Sequence, residues 1–216
     1  MRETTPSLSP FVPWPQGEIL VLASRSPRRA DLLRTAGIPF EIRPADAAEA
    51  DHAPAARALQ GDPSAYAELL AGVKADAVAR SAPERIVLGA DTIVVLDGAI
   101  LEKPNDEREA VAMLTRLAGR RHTVISAVAL RRDADRRRWT GHASTEVEFL
   151  PLTAAAIHRY VETGEPMDKA GAYGIQGYGA LMVRGVRGCY FNVMGLPLAL
   201  LGEALRIFMG DDDGPA

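Results

Sequence analysis

The chain has 216 residues, 47% of them hydrophobic, enough to fill the core of one domain without outside help. Its 28 acidic against 25 basic side chains leave a net charge of −3, which argues against non-specific attraction to nucleic acid or a membrane surface. A single cysteine, Cys189, excludes an internal disulfide and a cysteine-built zinc site and fits a reducing cytoplasm.

Residues 1–17 are rich in proline, lack the layout of a signal peptide and read as a flexible tail. No apolar run approaches the roughly 20 residues of a membrane span. Residues 18–23 (EILVLA) read as a short buried strand, and a helix opened by Pro27 and closed by Gly37 follows. Between them lies Ser24-Arg25-Ser26-Pro27-Arg28-Arg29, which crowds two hydroxyls and three guanidinium groups where a strand becomes a helix. Ser26 is the expected N-cap. An anion there would meet the free N–H groups of the first helical turn as well as arginines suited to two-pronged phosphate recognition. The alternative is a surface helix with solvated arginines.

Residues 39–43 read as a second strand and residues 44–63, rich in Ala, Asp and Pro, as a loop. Helical spacing over residues 64–80 leaves Lys74 near the edge of the buried face. Residues 85–90 and 92–96 look like two strand halves broken at Gly89-Ala90-Asp91, with a tight turn at Asp97-Gly98. Asp91 thus stands amid apolar residues, where a carboxylate needs a metal, water or a cation; capping a β-bulge is the alternative. Lys103, in Glu102-Lys103-Pro104, could return to the same end of the sheet. Residues 105–117 read as a helix with an acidic first turn, and residues 121–131 and 138–149 as two long strands. Their junction carries five arginines, Arg131, Arg132, Arg136, Arg137 and Arg138, with Asp133 and Asp135 among them, and reads as a solvated turn.

A helix over residues 153–162, a glycine-rich stretch 170–180, a strand near 181–186, a last helix 196–208 and an acidic tail 210–216 complete the chain. Interleaved strands and helices with a hairpin predict an α/β fold with a mixed sheet. Asp168 and Lys169, followed by Gly171, Gly174, Gln176 and Gly177, combine an acid, a base and an amide with backbone that a ligand can approach closely. The spacing is neither a dinucleotide fingerprint nor a Walker loop, and a tight loop needing positive φ is the alternative. His52, His122, His142 and His158 have no metal-ligand spacing.

Taken in order, S-R-S-P-R-R, G-A-D-T, L-E-K-P, D-K-A-G-A-Y-G-I-Q-G and V-M-G-L-P resemble the Maf family of nucleoside triphosphate pyrophosphatases. The resemblance implies a twisted mixed sheet flanked by helices, with a central cleft shared with inosine triphosphate pyrophosphatases. It also implies a single domain over residues 18–209, cleavage between the α- and β-phosphates of a nucleoside triphosphate, a divalent metal (Mg²⁺ or Mn²⁺) and a homodimer. Carried over by position, Ser24, Ser26, Arg28 and Arg29 match the phosphate loop, Asp91 a general base, Lys74, Lys103 and Lys169 a basic pocket, and Glu49 a cleft carboxylate. Glu49 and Asp91 are the implied metal ligands. Thr92, Arg28 and Gln176 fall where the family tunes its choice of base, with Asp168 beside them, and the wording resembles the dTTP/UTP branch. Ala48 and Asp31 depart from the family's acidic pattern. The other readings open at this point are a 7-methyl-GTP pyrophosphatase and a nucleotide-binding regulator of cell division that does not cleave; a Nudix hydrolase lacks its glutamate-rich helix here.

Overall fold

The computed structural model describes residues 10–12, 14–45, 59 and 61–210. In chain order the regular elements are β1 (Leu20–Leu22), α1 (Pro27–Thr35), β2 (Phe40–Ile42), α2 (Pro63–Ala79), β3 (Val87–Leu96), β4 (Ala99–Leu101), α3 (Glu107–Leu117), β5 (Arg121–Arg132), β6 (Arg137–Phe149), α4 (Ala154–Glu162), β7 (Val183–Arg187), α5 (Tyr190–Met194) and α6 (Leu198–Met209). Three 3₁₀ turns, Glu165–Asp168, Ala170–Ala172 and Gly177–Met182, bridge α4 to β7.

The strands form one sheet in the order β2-β1-β3-β5-β6-β7, with β4 hydrogen-bonded to β3. Pairing is parallel from β2 through β1 to β3 and antiparallel from β3 to β7. The sheet is therefore mixed, as the alternation of elements predicts.

Period-two alternation divides the interior. Leu20 and Leu22 of β1, Leu88 and Ala90 of β3, and Val128 and Leu130 of β5 pack toward α1 and α6. Their neighbours Val21, Val87, Ile93, Ala127 and Ala129 pack toward α2 on the opposite face. Farther along β3 and β5, Val94, Leu96 and Val124 join α3 and α4 in a third cluster.

Three expectations about the fold need correction. The strand region around Asp91 is unbroken, because β3 runs through Gly89, Ala90 and Asp91, and these pair in register with Ala129, Val128 and Ala127 of β5. The interruption lies in the neighbours instead. On its other edge β3 meets β1 only at Val87 and Leu88 and meets β4 only from Val94 to Leu96, which leaves Asp91 and Thr92 in a gap between partners. The residues read as a tail up to 17 also include part of the core. Val12 and Trp14 are buried in the cluster with α6, and the Trp14 indole N–H donates to the Glu18 carbonyl at 2.8 Å. An indole that finds both apolar cover and an acceptor anchors this stretch.

The basic junction between β5 and β6 divides as well. Arg131 is buried rather than solvated, donating to Asp76 of α2 and to the carbonyls of Leu130 and Trp139. Arg136 and Arg137 are exposed, as the sequence predicts.

Candidate active site

The gap beside β3 opens into a cleft of about 700 Å³, within the usual range for a small-molecule site. Among the described residues, its walls carry Ser24, Ser26, Arg28, Arg29, Lys74, Asp91, Thr92, Lys103, Asp168, Lys169 and Gln176. These eleven include every residue singled out from the sequence except Glu49, which lies outside the described residues. Arg25 joins them.

Alternation along β3 gives Asp91 and Thr92 different partners. Asp91 points to the α2 face, where Lys74 donates from Nζ to Asp91 Oδ1 at 2.5 Å, with both side chains 13% exposed. Gly89 makes this pairing possible. A Cβ there would stand 2.1 Å from the Ala71 carbonyl and 2.7 Å from the Ala75 amide, so only glycine lets α2 lie this close to β3. Thr92 faces the other side, where its hydroxyl meets Ser126 Oγ at 2.8 Å and accepts from Arg29 Nη2 at 3.2 Å.

The two neighbouring arginines of α1 serve different ends. Arg29 is buried and ties three elements together, donating from Nη1 to Ser24 Oγ at 3.0 Å and from Nε to the Gly195 carbonyl at 2.9 Å, besides Thr92. Arg28 is partly exposed and reaches across the cleft mouth to Asp168 Oδ2 at 3.1 Å. Asp168 also accepts from Lys169 Nζ at 2.5 Å. Partial burial pushes the Asp168 carboxyl up, but the hydrogen bonds from Lys169 and Arg28 outweigh it and hold the group below the usual carboxylate range. Ser26 holds the N-cap position of α1, yet its side chain makes no capping bond; its backbone N–H donates to Ser24 Oγ at 3.2 Å. Lys103 and Gln176 are exposed at the rim.

Behind Thr92 a chain of buried hydrogen bonds steadies the wall. Ser126 donates to the Asn192 carbonyl at 2.8 Å, and the Asn192 amide donates to the Val124 carbonyl and to Thr145 Oγ1. Sequence reasoning passed over Ser126 and Asn192. For Asn192 the only signal was its place just before the V-M-G-L-P segment. The glycine-rich stretch is the tight loop weighed as the alternative and also lines the cleft, with φ at +66° for Gly171 and +68° for Gly177.

Six cationic side chains and two carboxylates, Asp91 and Asp168, on the described walls suit this mixed α/β fold to a small, highly charged anion. Residues 19–208 match the family described as "Maf-like protein", and the chain belongs to that family. It is 51% identical over 190 residues to the dTTP/UTP pyrophosphatase of Symbiobacterium thermophilum, an alignment covering 88% of this chain and 93% of the relative. It is 49% identical over 191 residues to the dTTP/UTP pyrophosphatase of Moorella thermoacetica, covering 88% and 94%. The dTTP/UTP pyrophosphatase of Bacillus pumilus is 44% identical over 189 residues, covering 88% and 96%. No helix among the described residues is long and apolar enough to cross a membrane.

Proposed function

We propose that this protein hydrolyses dTTP and UTP between the α- and β-phosphates, releasing the nucleoside monophosphate and pyrophosphate with Mg²⁺ or Mn²⁺. The observation that carries the reading is the convergence of six cations and Asp91 on one cleft, in a chain about half identical to proteins named for that activity. Phosphoryl chemistry calls for placement and charge neutralisation more than for covalent help. Arg25 and Arg28, with the amides opening α1, meet phosphate oxygens, while Arg29 holds the loop that presents them. Lys74, Lys103 and Lys169 balance the remaining charge. Asp91 accepts the proton of the attacking water at a carboxylate oxygen as the water oxygen bonds to phosphorus and the bond to the bridging oxygen breaks.

The walls fit a metal brought by the substrate better than one held by the protein alone. No group of three or more His, Cys, Asp or Glu side chains placed to hold a metal ion occurs among the described residues, and Mg²⁺ needs only one or two carboxylates when phosphates supply other ligands. Asp91 would hold it, with Glu49 as the second carboxylate that the family resemblance implies. The ion would withdraw charge from the phosphate oxygens. A homodimer in the cytoplasm belongs to the same proposal, and sedimentation velocity with cell fractionation checks it.

Incubation of the full chain with dTTP, UTP, CTP, GTP and 7-methyl-GTP, with Mg²⁺ or Mn²⁺ and with chelator, tests the activity. The expected products are monophosphate and pyrophosphate, fastest from dTTP and UTP. Diphosphate with orthophosphate would place the cleavage at the wrong bond, and tight binding without turnover would make the protein a nucleotide-binding regulator.

A further inference from the structure

Residues 165–179 carry Lys169 and Gln176 to the cleft through short 3₁₀ turns, with no α-helix or strand to hold them. One side chain outside the cleft lining does that work. Glu165 Oε1 accepts from the Tyr160 hydroxyl at 2.9 Å and from the Gly179 amide at 3.1 Å, and Oε2 accepts from the Tyr178 amide at 3.0 Å. The Glu165 carbonyl takes a further bond, from Lys169 Nζ at 2.6 Å. The Tyr160 hydroxyl in turn accepts from the Gly174 amide at 3.2 Å.

The surroundings are shaped to this carboxylate. At Gly177, which sits at φ +68°, a Cβ would come within 2.5 Å of Glu165 Oε2, and at Gly179 it would come within 2.1 Å of the Gly174 carbonyl. Burial raises the Tyr160 phenol well above its ordinary range, so it stays a donor at any working pH. Every group aimed at the two carboxylate oxygens is a donor, and glutamine would turn an NH₂ toward one of them.

Resting on the reading of the cleft as a nucleotide site with Gln176 at the base, we propose that Glu165 is a positioning residue. It sets the Lys169 amine and the Gln176 amide along the bound nucleotide, and so governs affinity and choice of base, leaving the chemical step to Asp91.

Glu165→Gln and Tyr160→Phe, made in the full chain and checked for folding by thermal melting, test this. The readouts are kcat and KM for dTTP and GTP with Mg²⁺, and Kd for dTTP by calorimetry. Glu165→Gln should raise KM and Kd for dTTP about 10-fold and lower the dTTP-to-GTP ratio of kcat/KM by a similar factor, with kcat held within about 3-fold. Tyr160→Phe, which removes one of the three donors, should shift both in the same direction by less, and it carries the test if Glu165→Gln does not fold. Folded variants with wild-type KM and ratio, or a fall in kcat alone, would overturn the proposal. A wild type with no pyrimidine preference would count against Gln176 as the base reader, and KM and Kd would then decide Glu165 through Lys169. A wild type that binds no dTTP would overturn both.

Discussion

Helix α2 pairs two of its charged residues with the sheet only two positions apart, and puts them to opposite uses. Lys74 reaches Asp91 of β3 where the sheet edge opens, and both line the cleft. Asp76 reaches Arg131 of β5 and Arg138 of β6, away from the cleft, each at 2.8 Å. Arg131 is as deeply buried as Lys74, but its Nη1 is spent on the Leu130 and Trp139 carbonyls and on Thr140 Oγ1. Burial and pairing thus do not mark a functional charge. What separates the two pairs is whether a ligand can reach them, and that follows from where β1 and β4 leave β3 uncovered.

Mutation should break the comparison cleanly. Asp91→Asn should keep the fold and nucleotide binding while kcat falls on the order of 10²- to 10⁴-fold, the usual contribution of a positioned general base. Steady-state rates beside a thermal melt read this, and near-normal turnover would return Asp91 to the structural class of Arg131. The reverse pattern is expected of Arg131→Met. Two buried carbonyls lose their donor and Asp76 loses a partner, so stability should drop by about 3–4 kcal/mol in urea titration with kcat/KM per folded molecule unchanged.

A buried polar pair without charge sharpens the contrast. His122 is 3% exposed, with Nε2 at 2.8 Å from the Tyr173 hydroxyl, and burial pushes its pKa down from 6.5 to about 4. The folded state therefore resists the proton that the unfolded chain accepts. Stability from this group is complete above pH 6.5 and is lost as the pH falls toward 4, by about 3 kcal/mol in all. Unfolding titrations at pH 7.5 and 4 should show that drop, and His122→Gln should flatten it; an equal slope in both proteins would disprove the assignment.

The smallest effect belongs to a third charge on the same helix. Glu68 pairs with His142 Nδ1 at 2.7 Å, with about a third of each side chain exposed, so Glu68→Gln should shift stability by less than about 0.5 kcal/mol and leave the kinetics alone. A larger loss would show that solvent screens this face of α2 less than its exposure implies.

Much of the molecule was legible in the chain, because short-range chemistry writes it there. Pro27 opens α1, Asp97-Gly98 turns β3 into β4, and Asp106 and Thr153 cap α3 and α4 by accepting from the amides of Glu109 and Ala156. Five short motifs in register placed the chain in its family, and ten residues within them, with Lys74 from the helix between the first two motifs, now share one cleft. Other features had no local signature. Glu165 drew no reading at all, Arg29 looked like a second copy of Arg28, Arg131 like part of a solvated turn, and Val12 with Trp14 like a tail.

The difference is one of range. Helical and strand periods, caps and turns depend on neighbours within a few residues, so the sequence by itself determines them. The partner of a charged or aromatic side chain is set by the alternation of β3 and β5, by the close approach of α2 at Gly89 and by the gap between β1 and β4. Those distances exist only after segments far apart in the chain have packed, and the tertiary structure alone decided which of these groups face the cleft and which are spent within the fold.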